Sequence, residues 1–90
     1  MRFEWDENKN QANIRKHGID FSDAADIFNH PMLTLYDGRE DYGEERWIAL
    51  GWIRATMGVV VYVERNEDVI RIISARKATK NEVKRYEQSI

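Results

Sequence analysis

The stretch Val59-Val60-Val61-Tyr62-Val63 contains four valines, one tyrosine and no charged position. A strand facing water on one side would alternate apolar with polar residues, so this run predicts a central strand covered on both faces. Upstream, Arg46 to Ile53 sets Ile48, Leu50 and Trp52 on one face and Trp47 and Ile53 on the other, a strand partly covered on both sides. Downstream, Asn66-Glu67-Asp68 turns the chain into a third strand, Val69 to Ala75. Met32 to Tyr36 supplies a fourth, ended by the polar loop Asp37 to Gly43. Connections this short imply antiparallel pairing, because a parallel crossover needs a dozen or more residues.

Helical signals flank this core. Phe3 to Trp5 is a short apolar-polar-apolar start, and Asp6 then caps a helix from Glu7 to His17, ended by Gly18. Asp20 caps a second, whose Phe21, Ala24, Ala25 and Phe28 repeat at i, i+3, i+4 and i+7 until His30-Pro31 stops it. Thr79 and Glu82 form a capping box for a closing helix that turns Val83 and Tyr86 inward. The expected order is strand, two helices, four strands, helix: an α+β domain over residues 1–90 with both early helices on one side of the sheet.

Ninety residues allow one modest core, and 42% hydrophobic residues are enough to order it. The absence of cysteine excludes disulfides, thiolate nucleophiles and cysteine zinc sites, which suits a reducing cytosol. No apolar stretch approaches a membrane span or a signal sequence, so a cytoplasmic protein without membrane contact is expected. The net charge of −2 is unevenly spread. Residues 1–64 hold seven basic and twelve acidic side chains, a net of −5, whereas residues 65–90 hold seven and four, a net of +3. A basic surface is therefore C-terminal.

Nucleotide-binding glycine loops, HExxH, GxSxG and calcium-loop patterns are all missing, and no metal or cofactor is expected. The most informative candidates are Arg76 and Lys77, adjacent cations where a strand gives way to a helix N-terminus, a place that favours phosphate. The alternative is that both are solvated strand-end residues. Glu64-Arg65 ends the preceding strand, and Arg65 either joins the basic surface or pairs with Glu67 or Asp68. Tyr86 follows Thr79 by seven residues, so its hydroxyl could reach a substrate while its ring packs. His17 offers an imidazole for acid–base work or simply closes a helix, whereas His30 reads as a loop residue. Arg71, Lys80 and Lys84 extend the surface as substrate-binding candidates. Trp5, Trp47 and Trp52 offer rings for stacking on bases, although a core this small draws at least two of them inward.

The elements Phe3-x-Trp5-Asp6-x-x-Lys9-x-x-x-Asn13-x-x-Lys16-His17-Gly18, Phe21-x-x-Ala24, Phe28, Glu45-Arg46, Gly51, Tyr62, Ile70-Arg71-Ile72-Ile73-Ser74-Ala75-Arg76-x-Ala78 and Glu82-x-x-x-Tyr86 run from one end of the chain to the other. In this order and spacing they resemble the BrnT toxins of type II toxin–antitoxin systems. The resemblance implies a RelE-like fold with about four antiparallel strands, two N-terminal helices and one C-terminal helix. It also implies an endoribonuclease that inhibits translation and is neutralised by a BrnA-like antitoxin, with RNA as substrate and DNA engaged only through the antitoxin. Comparison with RelE toxins points to Arg76, Lys77 and Tyr86. In metal-independent cleavage by the RNA 2′-hydroxyl, Arg76 and Arg65 would stabilise charge with Lys77 in support, and Tyr86, His17 and Glu64 would share proton transfer. The competing reading is a non-enzymatic subunit that binds a DNA-binding partner in operon autoregulation.

Overall fold

Asp6 accepts the backbone N–H groups of Asn8 and Lys9 and so starts α1 (Glu7–His17), while Gly18, at φ 73°, ends it in the left-handed conformation that glycine adopts without strain. In the computed structural model, which describes residues 1–90, the other elements are β1 (Arg2–Glu4), α2 (Phe21–Ala24), a 3₁₀ segment (Ala25–Asn29), β2 (Met32–Asp37), β3 (Arg46–Ile53), β4 (Thr56–Arg65), β5 (Val69–Lys77) and α3 (Lys80–Ser89). No helix is long and apolar enough to cross a membrane.

The strands form one sheet in the order β1-β5-β4-β3-β2. β2 to β5 are the expected antiparallel meander, with Val59–Val63 in the central strand β4. The expectation of about four strands in a RelE-like layout with two N-terminal helices does not fit well. A fifth strand, β1, pairs in parallel with β5, placing Phe3 against Ile70. The helices carry the chain from β1 at one edge to β2 at the other, and with the three strands that follow they leave far more chain between β1 and β5 than the dozen residues a parallel pair requires. The second helix is a single α turn continued as 3₁₀, and it ends at His30, before Pro31.

The second helix and its 3₁₀ extension pack on one face: Phe21, Ala24 and Ile27 join Ala49, Ile53, Val60, Tyr62, Ile72 and Ala75 in the main core, to which α1, held at the β5 edge, contributes no side chain. Phe28 meets Phe3 and Tyr62 at ring separations of 5.5 and 5.0 Å. The residues adjacent to these in the strands point to the other face, where Leu50 and Val59 pack against Tyr86 of α3. The three layers are thus α2 with its 3₁₀ extension, sheet, and α3 over one end of the second face.

Two asparagines tie α1 into the fold. Asn13, 7% exposed, donates to the carbonyl of Ala75 at 2.8 Å and accepts its N–H at 3.2 Å, as a neighbouring strand would. It thereby closes the edge of β5 beyond the end of the short β1. Asn10 accepts the N–H of Phe21 at 2.9 Å and donates to Asp20 at 3.1 Å, fixing the start of α2.

Candidate active site

An irregularity in β5 decides which cations share a surface. Val61 pairs with Ser74 but its neighbour Tyr62 pairs with Ile72, leaving Ile73 as an extra residue. Strict alternation would place Arg71 and Arg76 on opposite faces, because they are an odd number of residues apart. The bulge reverses the phase between them, so Arg71 opposite Val63 and Arg76 opposite Val59 share the α3 face. Arg46 joins them from β3 through alternation with Ile48 and Leu50, and Arg65 joins them two residues beyond Val63.

Each of these guanidiniums meets a carboxylate. Arg76 donates from Nη1 and Nη2 to the two oxygens of Glu82, both at 2.8 Å, which joins the end of β5 to the first turn of α3. Glu82 also accepts the N–H of Thr79 at 2.8 Å in the capping box. The Arg76 fork draws the Glu82 carboxyl down to about 2, against the opposing effect of burial, and raises Arg76 in turn. Arg71 donates to Glu4 at 2.8 Å, and Arg65 lies 3.5 Å from Glu44 and 3.9 Å from Glu4. Arg46 pairs with Glu44 at 3.2 Å beneath the ring of Tyr42, 4.0 Å from its centroid.

Of the residues chosen from sequence, Arg76, Arg65 and Arg71 are therefore brought to one face, and Lys80 and Lys84 are exposed on α3 beside it. The others are not. β5 continues two residues past Ala75, so Lys77 stays in the ladder opposite Gly58 and its side chain goes to the face away from Arg76. There it lines a recess with Gly18, Ile19 and Arg54. Glu64 also takes that opposite phase, beside Tyr62, whose hydroxyl is pushed up by burial and, less, by Glu64. His17 ends α1 in a shallow recess with Lys9, Lys16 and Ser74 at the β5 edge and makes no side-chain hydrogen bond. The Tyr86 hydroxyl donates to the Pro31 carbonyl at 2.8 Å, and its ring is buried against Leu50 and Val59.

Residues 5–82 match the family model for the ribonuclease toxin, BrnT, of type II toxin–antitoxin systems. The chain belongs to the BrnT family. Its fold is similar to that of the Brucella abortus ribonuclease toxin BrnT, seen in a crystal structure at 1.1 Å resolution: the TM-score is 0.66 at 26% identity, covering 89% of this chain and 99% of that one. Among curated proteins none matches. The functional signal that sequence reading passed over in this BrnT chain is the arginine content of the third strand and the loop before it. Arg46 sits two residues before Ile48, so the alternation already read from Ile48, Leu50 and Trp52 also places it on their face. Arg39 lies in the loop and could not be placed by periodicity. Glu82, noted only as a helix cap, is also the partner of Arg76.

Proposed function

We propose that this chain is a cytoplasmic endoribonuclease toxin that cleaves RNA without a metal ion, and that a BrnA-like antitoxin covers its arginine face. DNA is engaged only through that antitoxin. The observation that carries this reading is the Arg76 fork, held in orientation by Glu82 on a sheet face that also presents Arg46, Arg65 and Arg71, in a chain of the BrnT family. A planar guanidinium presenting parallel N–H groups matches two oxygens of a phosphate as well as those of a carboxylate.

The substrate's own 2′-hydroxyl is the nucleophile. Its oxygen bonds to the adjacent phosphorus, the bond from phosphorus to the 5′-oxygen breaks as that oxygen takes a proton from water, and the products carry a 2′,3′-cyclic phosphate and a 5′-hydroxyl. Arg76 exchanges Glu82 for the phosphate and holds the charge that builds on its oxygens. Glu82, released from the fork, is the carboxylate beside that phosphate and takes the 2′-hydroxyl proton. Arg65 and Arg71 add positive potential, and Lys80 and Lys84 bind flanking phosphates.

The test is incubation of purified protein with RNA in a chelator. Fragments ending in cyclic phosphate support the proposal. A folded protein that leaves RNA intact, with or without added magnesium, supports instead a non-enzymatic subunit that binds a DNA-binding partner.

A further inference from the structure

The ion pairs on the arginine face differ in what they leave free. Arg76 commits both terminal nitrogens to Glu82. Arg39, in the loop after β2, gives Nε and Nη2 to Asp37 at 2.8 and 2.9 Å, which leaves Nη1 without a carboxylate. The Arg39 side chain is 69% exposed while that of Asp37 is 0% exposed. Asp37 ends β2 opposite Arg46, on the same sheet face as the other arginines, and it also accepts the backbone N–H of Arg39 at 3.3 Å. A buried carboxylate that grips an exposed guanidinium from behind fixes its plane and turns the remaining N–H groups outward.

The positive charge of Arg39 opposes the protonation of Arg76, as the least of the influences on it. Tyr42 of the same loop lies over Arg46, which ties the loop to the arginine face.

We propose that Arg39, anchored by Asp37, is a substrate-binding residue that holds an RNA backbone phosphate at the Arg46 end of the arginine face. This rests on the ribonuclease reading above and extends it to the loop between β2 and β3. Arg39 acts on the bound strand and not on the reacting phosphorus, so it governs affinity.

The probe is a short single-stranded RNA methylated at every 2′-oxygen, which lacks the attacking hydroxyl and separates binding from cleavage. Arg39→Ala is expected to weaken binding about tenfold. It is also expected to reduce the slope of log affinity against log salt by about 0.7, the share of one phosphate contact on a single strand. Arg39→Lys restores the slope but only part of the affinity, since it keeps the charge and loses the fork. With unmodified RNA, Arg39→Ala raises KM while kcat stays within about twofold. Because Arg39→Ala leaves a buried carboxylate unpaired, the double variant Asp37→Asn/Arg39→Ala is measured beside it and is expected to show the same affinity and slope. A wild type that binds and cleaves RNA, matched in affinity and slope by the folded double variant, overturns the Arg39 assignment and leaves the ribonuclease reading standing. A wild type that neither binds nor cleaves overturns both.

Discussion

Arg76 and Glu82 meet fork to carboxylate, Nη1 to Oε1 and Nη2 to Oε2 both at 2.8 Å, so the cation at the end of β5 is held by the residue that also closes the capping box of α3. In the proposed mechanism a phosphate takes the place of this carboxylate. Glu82→Gln is therefore expected to do two opposite things: tighten binding of 2′-O-methylated RNA, because a competing anion is gone, and slow cleavage of unmodified RNA, because the base is gone. Weaker binding together with unchanged cleavage would contradict this assignment.

The same pair sets a pH dependence. The Glu82 carboxyl is lowered from 4.5 to about 2 in the folded chain, first by the Arg76 fork. A depressed carboxyl stabilises the fold above its unfolded value, and that contribution is lost as pH falls through the folded one. Asp37, held by Arg39, is shifted the same way, as are Asp20 and Asp26 through hydrogen bonds they accept. The melting temperature should fall steadily as pH drops from 4.5 toward 2, and less steeply in Glu82→Gln. Equal slopes in the two proteins would show that the pair does not contribute.

Tyr86 is given a packing role by its bond to Pro31. Tyr86→Phe keeps the ring and removes the hydroxyl, at a cost of about 1 kcal/mol for the lost hydrogen bond. In a chain of this size that lowers the melting temperature by roughly 4–8 °C. RNA cleavage is expected to stay near the wild-type rate. A loss on the order of 10²-fold with the fold intact would instead return Tyr86 to the site as a proton donor.

Asn13 carries a larger structural burden than its helix position suggests. Asn13→Ala leaves the N–H and the carbonyl of Ala75 without their partner at a buried edge, at about 1–3 kcal/mol for each group left unsatisfied. A two-state melt that is unchanged in Asn13→Ala would show that water or β1 replaces the amide.

Much of this was legible in the sequence, and what was not has specific causes. The bounds of α1 followed from Asp6 and Gly18, and the antiparallel core followed from the valine run and the short turns, because capping and period act locally. The pairing of β1 did not follow, since three residues carry no direction, and its partner β5 comes only after the helices and three further strands. The shared face of Arg71 and Arg76 did not follow either: it depends on the bulge at Ile73, which no periodicity announces, and strict alternation would have divided them. Arg76 and Lys77 read as one cluster only if the strand stops at Ala75. Two more ladder residues send their side chains to opposite faces. Asp37 and Arg39 are too close in sequence to look like more than a polar loop, and only the burial of the carboxylate distinguishes them.

The central claim is that Arg76 stabilises the charge on a cleaved phosphate, and it is tested most directly by RNA cleavage with Arg76→Ala and Arg76→Lys, each melted beside the wild type. Removing one preorganised donor should slow cleavage on the order of 10²-fold or more. Arg76→Lys should recover only part of that loss, because a lysine supplies charge without the fork. The fold should persist, since a partly exposed ion pair contributes about 1 kcal/mol at most and Thr79 still caps α3. Wild-type cleavage by a folded Arg76→Ala protein would contradict the account.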